Sequence, residues 1–387
     1  MVRRCLCTGE CRDSVLRNYE VYRIAELSHR PGLKLAILAI APSSGSLGWF
    51  LISATGTIAL KNLLILVLLL FGSACVGNQA PRLGSQHGED PLRPHEPLEP
   101  LELAITVDDL PVHGDDHPGV NRLEIAAKVI AALKATDSPV VYGFSNGEPL
   151  EWDPTVMDVL KTWGNAGYLL GNHTYSHMDL GQVRAEEFMV DIEKMDHLLD
   201  SISSGATGAK MFRYPYLSEG DTLEKRNMVR EYLKRKGYRI AQVTVDYADW
   251  AWNNAYLRCA VGNDEEAIRW LRTHVVKAAR RQLLHAQKLA KLLMGRDIKH
   301  ILLLHVGEFN TVSLRDVLKA FNAEGVRFIS LQTALADPVY EINPNLPMPD
   351  GKDFLEQLAA MKGVEDPYGE DSYDVYKQET LAKLCVR

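Results

Sequence analysis

From residue 101 onward the chain alternates short, nearly all-apolar runs with longer segments of helical period. Leu103-Ala104-Ile105-Thr106-Val107 is the first such run, and it ends in Asp108 and Asp109. A helical pattern over Arg122–Ala135 follows, and Val140-Val141-Tyr142-Gly143-Phe144 then repeats the apolar run. Further strands are expected at Tyr168–Leu170, Met211–Tyr214, Ile240–Val245, Ile301–His305 and Arg327–Leu331. Helices are expected near 154–165, 184–203, 221–236, 264–294 and 313–323. Strands buried on both faces read as unbroken apolar runs, so the alternation predicts a parallel sheet covered by helices. No glycine-rich phosphate loop opens any of the helices. That favours an α/β fold of the distorted (β/α) barrel kind, with about seven parallel strands, over an open doubly wound sheet.

The polar residues punctuate this pattern at one place in each unit. Asp108, Asp109, His173, Arg213, Asp246 and His305 all fall at the C-terminal ends of expected strands. In a β/α barrel those ends form the mouth where active sites assemble. The barrel is expected over 101–337. Residues 338–387 form a C-terminal extension rich in Pro, Asp and Tyr, without a readable motif.

The N-terminal part reads differently. Leu63 to Phe71 is too short an apolar run to span a bilayer as a free helix, but it fits the core of a secretory signal, with Lys61 as its positive flank. Gly72-Ser73-Ala74-Cys75 resembles a bacterial lipoprotein cleavage box, with Gly72 in place of the usual Leu, so Cys75 is a candidate for lipidation and a membrane tether. Residues 1–76 are thus an N-terminal extension with a signal-like segment, and 77–100, rich in Pro, Gly, Gln and His, read as a flexible linker. A second apolar patch, Leu33 to Leu60, does not fit a signal, and no Met occurs between Met1 and Met157. Translation starting near Leu60 would account for both; a two-helix membrane anchor is the alternative.

Composition narrows the classes. A net charge of -7 argues against a polyanion-binding protein, and so against nucleic acid as a partner. Cys5, Cys7 and Cys11 lack a second ligand pair at finger spacing, and only Cys259 and Cys385 lie beyond residue 100. Whether those two meet is open at this level.

The strand-end residues carry recognisable chemistry. Asp108-Asp109 offers one carboxylate to bind a cation and one to accept a proton, or else a solvated loop pair or helix cap. His173 and His177, four residues apart, would share one face of a helical turn and hold a metal together, unless they are simply surface histidines. Two histidines and a carboxylate with open positions suit zinc and other divalent transition metals, cobalt included. Arg213, beside Pro215, is placed to hold a carboxylate through a bidentate contact, or is an ordinary surface arginine. Asp246-Tyr247-Ala248-Asp249-Trp250 supplies acids and an indole that is either a sugar platform or a core residue. His305, ending the apolar run Leu302-Leu303-Leu304, is a candidate general acid or a satisfied core histidine.

Taken in order, these residues resemble the polysaccharide deacetylase family (carbohydrate esterase family 4, NodB-homology domain). Thr106-Val107-Asp108-Asp109-Leu110-Pro111 is similar to its first motif, Thr-Phe-Asp-Asp-Gly-Pro, and His173–His177 to its second. Arg213-Tyr214-Pro215-Tyr216 resembles the third, Asp246–Trp250 the fourth, and Leu303-Leu304-His305 the fifth. The resemblance implies a NodB-like barrel and a metal-dependent N-deacetylase, with Asp109, His173 and His177 as metal ligands and Asp108 as general base. It further implies that Arg213 orients Asp108, and that Asp249 tunes the general acid His305. Tyr214, Tyr216 and Trp250 would contact the sugar, and Leu303 the acetyl methyl group. An exported protein of this kind would act in the periplasm or cell envelope on an N-acetylated glycan, peptidoglycan first; chitin, poly-N-acetylglucosamine and xylan are the alternatives. A deformylase of a lipid-linked amino sugar and a non-catalytic glycan-binding protein are the rival readings. Leu110 and Leu217 stand where the family has Gly, and both are expected to reshape the groove near the metal.

Overall fold

The computed structural model describes residues 19–27, 35–42, 100–115, 117, 119–202, 209–368 and 378–386. The signal-like run Leu63–Phe71, the candidate lipidation site Cys75 and the linker 77–100 up to residue 99 lie outside them. Strands β1 (Tyr19–Leu27) and β2 (Leu35–Pro42) form an antiparallel pair within a unit of its own, Met1–Arg93. Part of the patch Leu33–Leu60, for which a membrane helix was the alternative reading, is thus strand. Among the described residues no helix is long and apolar enough to cross a membrane.

The second unit, Pro94–Arg387, contains the barrel and the C-terminal extension together. Its parallel sheet is built from β3 (Glu102–Leu110), β4 (Tyr142–Ser145), β5 (Leu169–Asn172), β6 (Met211–Phe212), β7 (Arg239–Ile240), β8 (His300–His305) and β9 (Arg327–Ile329). The order is β7-β6-β5-β4-β3-β8, with β9 pairing the start of β3 ahead of β4. Beyond β7 the chain returns to the other edge, where Val245 bridges Leu302 of β8 and closes the ring. This is the expected distorted barrel of parallel strands.

Side-chain alternation sorts the strands into an outer and an inner face. On β3, Leu103, Ile105 and Val107 join the large core beneath the helices, whereas Ala104 lies in a second core with Tyr142, Phe144, Met211 and Ile301. Thr106 and Asp108 continue the Ala104 side toward the mouth. On β8, Leu302 and Leu304 face the helices, leaving Leu303 and His305 in line with Ile301.

The helices begin and end where local chemistry dictates. Asn121 caps α1 (Arg122–Lys134) by accepting from Leu123 N. Helices α2 (Met157–Asn165), α3 (Ala185–Ile202) and α4 (Leu223–Arg235) follow the expected positions closely. Helix α5 (Asp249–Val261) was not expected; it starts immediately after Ala248, whose φ of 52° turns the chain sharply. Helix α6 (Glu265–Met294) is capped by Asp264 and stopped by Gly295 in the left-handed region. Helix α7 (Asn310–Ala323) follows β8. In the C-terminal extension, Asp353 and Glu356 form a reciprocal capping box that starts α8 (Phe354–Lys362). The extension is therefore folded onto the barrel, and a disulfide joins Cys385 to Cys259 on α5.

Candidate active site

Asp108 and Asp109 are neighbours on a strand, so their side chains should point to opposite faces. The backbone resolves this at Asp109, whose φ of 62° lies in the left-handed region and swings its carboxylate back to the mouth. Asp108 is buried, and Arg213 Nη1 donates to both of its oxygens, at 3.2 Å and 3.0 Å. The contact differs from the expected two-nitrogen fork, because Nη2 is taken by Thr106 Oγ1 at 3.0 Å and Nε by the Ala241 carbonyl at 2.5 Å. Thr106 Oγ1 in turn donates to the Leu302 carbonyl. The guanidinium also lies over the Phe144 ring. Burial works to lower the Arg213 guanidinium from its ordinary value, with Asp108 opposing.

His173 and His177 come together, but not on a helical turn. They lie in a loop after β5, with left-handed φ at Thr174 (60°) and His177 (53°). Asn172 Oδ1 accepts from Thr174 N, Asp191 accepts from the amide and hydroxyl of Ser176, and Asn146 donates to the carbonyls of His173 and Thr174. The two rings sit 4.9 Å apart. His173 Nδ1 donates to the Arg213 carbonyl, which leaves Nε2 as a lone-pair donor, the arrangement common to metal-binding histidines.

Asp109 Oδ1 lies 3.3 Å from His173 Nε2 and 3.2 Å from His177 Nε2, yet it is buried without a hydrogen-bond partner. Two donors bound to one tetrahedral ion at zinc-like bond lengths stand roughly 3.3 Å apart. The orphaned oxygen, the two free imidazole nitrogens and their separations all fit a shared divalent cation. These donors form a cluster capable of holding a metal, and a second overlapping cluster is Asp109, His113 and His305. Burial works to raise the Asp109 carboxyl, but His113, His173 and His177 outweigh it and hold it well below the usual carboxylate range.

Across the mouth, His305 Nδ1 meets Asp249 Oδ1 at 2.6 Å, and the His305 amide donates to Oδ2 at 2.8 Å. Asn310 Nδ2 bridges Asp249 Oδ2 and the His305 carbonyl. Burial works to lower the His305 imidazole, but Asp249, with Asp109 and Asp108 behind it, overrides this and raises it to about 10. Burial also pushes the Asp246 carboxyl up to about 6, against the hydrogen bond from Ala248 N.

The expected sugar contacts divide. Tyr216 is 61% exposed and its ring edge meets His177 at 4.5 Å. Trp250 is exposed on the first turn of α5, and Leu303 is buried on the inner strand face below His305. The Tyr214 side chain is a correction. Two residues from Phe212, it shares that residue's outward face and packs with Phe188 and Phe212 away from the mouth. Leu110 is a second correction, since it is fully buried in the outer core and does not line the groove. It fits because Gly143 on β4 has no side chain; a Cβ there would stand 2.4 Å from Leu110 Cδ1. Leu217 holds a left-handed φ of 54°, the conformation a Gly would take without strain.

Sequence reasoning missed His113, Asn310 and the role of Thr106. Each is a single polar residue outside a recognisable spacing, and only the fold brings them to the mouth.

Together these features define a barrel protein with a candidate metal site and a carboxylate–histidine pair facing each other across one mouth. A family model described as polysaccharide deacetylase matches residues 96–241. Peptidoglycan-N-acetylglucosamine deacetylase of Bacillus cereus is 31% identical over 154 residues, 40% of this chain and 48% of that protein. A chitin deacetylase of Arthroderma benhamiae is 37% identical over 68 residues, 18% of each. The chain thus spans less than half the length of either relative. Among solved structures, the chitin deacetylase of Colletotrichum lindemuthianum is 21% identical at a TM-score of 0.43, covering 62% of this chain and 89% of that one. A family 4 carbohydrate esterase of Bacillus subtilis is 18% identical at 0.39, covering 61% and 81%.

Proposed function

We propose that the protein is a metal-dependent N-deacetylase of an exported, N-acetylated glycan, peptidoglycan foremost. The observation that carries this reading is the buried, unpartnered Asp109 Oδ1 between two free imidazole nitrogens, with Asp108 on one side and His305 on the other. Asp109, His173 and His177 would hold the cation, zinc or a similar transition metal. Bound there, it supplies a Lewis acid for the acetamide carbonyl and makes a water more acidic.

The remaining steps belong to the chain's own groups. Asp108 accepts the proton of the attacking water, and Arg213 fixes that carboxylate in direction. The backbone amide of Tyr214 or Tyr216 would stabilise the developing oxyanion. His305 gives its proton to the departing sugar amine, with Asp249 holding the ring by Nδ1 so that Nε2 faces the substrate. Tyr216 and Trp250 offer exposed rings to the sugar, and Leu303 an apolar floor for the methyl group.

Export is part of the same proposal. Disulfides persist in oxidising compartments, so Cys259–Cys385 supports action in the periplasm or cell envelope, as do the signal-like run and the lipidation candidate Cys75. The substrate of the Bacillus relative favours peptidoglycan, and the fungal relative makes chitin oligomers the natural comparison.

The test is acetate release from intact sacculi, chitin oligomers and poly-N-acetylglucosamine, alongside metal analysis. Asp109→Ala and His173→Ala should abolish metal binding and turnover. His305→Ala should keep the metal and lose about 10²–10⁴-fold in kcat. Full activity after chelator treatment, or no acetate from any of these glycans, would refute the reading.

A further inference from the structure

His113 has no role in the scheme above, yet it touches both halves of the site. Its Nδ1 lies 2.7 Å from Asp109 Oδ2, the oxygen opposite the one between His173 and His177. Its ring lies 4.4 Å from that of His305, with 33° between the planes. The separation from Asp109 is that of a hydrogen bond, shorter than the 3.2–3.3 Å that separates Oδ1 from the other two imidazoles.

The loop that carries His113 is itself pinned. Arg122, at the start of α1, donates through Nη1 to the His113 carbonyl at 2.9 Å and through Nη2 to the Gly114 carbonyl at 2.6 Å. The side chain is only 12% exposed, so its position is set by the protein rather than by solvent.

We propose that His113 is a positioning residue that couples the two halves of the site. By donating to Asp109 Oδ2 it fixes the carboxylate's rotation, so that Oδ1 points into the His173–His177 pair. By lying against His305 it walls one face of that ring, while Asp249 holds its edge. The proposal rests on reading the site as a metal-dependent deacetylase. Partners that orient a metal ligand in this way typically contribute about 10–100-fold in metal affinity.

Two substitutions separate the two roles. His113→Asn keeps a donor near the position of Nδ1 but removes the ring, and His113→Phe keeps the ring but removes the donor. The measurements are the zinc dissociation constant, by competition with a chromophoric chelator, and kcat and KM at saturating zinc. His113→Ala should weaken zinc binding about 10–100-fold and lower kcat, with KM nearly unchanged. The Asn variant should recover most of the zinc affinity but not kcat. The Phe variant should recover kcat at saturating zinc but not the affinity. If the Ala variant does not fold, the Asn and Phe variants carry the test by themselves. Wild-type zinc affinity and kcat in all folded variants would overturn the proposal. A wild-type protein that binds no zinc, or releases no acetate, would instead remove the underlying reading of the site.

Discussion

Asp109, Thr174, His177, Tyr216 and Leu217 all hold left-handed backbone angles without being glycine. Such positions cost energy and persist where surrounding contacts fix them, which is the case for loops that must aim several side chains at one point. Asp108, Asp109, His173, His177 and Arg213 were legible in the sequence because their types and spacing are chemically unusual together. The way they meet was not: the helical turn expected for His173 and His177 is a loop, and alternation carries Tyr214 outward. His113 was invisible, since a lone His past a strand end has no pattern to mark it. At this scale the His305–Asp249 pair makes a pH prediction. The imidazole is raised from 6.5 to about 10, so the pair stabilises the metal-free fold fully below about pH 6.5. That stabilisation is lost as pH rises through about 10. The melting temperature of metal-free wild type should therefore fall more steeply over that interval than that of Asp249→Asn; parallel curves would contradict the assignment.

Among the elements, strands were read from apolar runs ending in polar residues, and every one of the seven appears in the barrel. The runs at 211–214 and 240–245 are shorter as strands than the apolar pattern suggested. There the chain leaves the sheet to deliver Arg213, and to cross to β8 at Val245. Helix α5 was missed because its sequence, rich in Trp and Asn, has no clean apolar stripe, and because its boundary is set by the backbone at Ala248. The C-terminal extension showed no pattern because its apolar residues are scattered among Pro- and Asp-rich turns, although Val339, Phe354, Leu355, Leu358 and Leu381 all enter the main core. Backbone bonds add to this: Glu219 N donates to the Met348 carbonyl, Met348 N to the Gly220 carbonyl, and Ser218 Oγ to the Pro349 carbonyl. Gly351 sits so close to this turn that a Cβ would stand 1.9 Å from the Tyr216 carbonyl, and its φ is 62°. Gly351→Ala should thus displace the Tyr216 turn, costing about 1–3 kcal/mol in stability. It should also raise KM; denaturant melts and steady-state kinetics read the two effects.

For the whole molecule, the barrel class followed from periodicity, whereas the pairing of Cys259 with Cys385 did not, because the fold alone brings together residues 126 apart. Arg258 reinforces that closure by donating to the Leu384 and Leu381 carbonyls. Replacing both cysteines by serine should lower stability by about 2–5 kcal/mol, read as a drop in Tm against oxidised wild type. Activity at temperatures well below that transition should be retained.

The mouth is assembled from two stretches of chain that can be lost independently. Asp108, Asp109, His173, His177 and Arg213 all lie inside the matched span 96–241, whereas Asp249, His305 and Asn310 lie beyond it, with the whole of α6 between Asp249 and His305. On the proposed reading, a gene that drifted only in its second stretch would keep the residues of the matched span and would still load a cation. It would be a sink for metal with no chemistry attached. On that reading, competence in proteins of this layout would be diagnosed downstream, at the positions equivalent to Asp249 and His305, and not within the matched span.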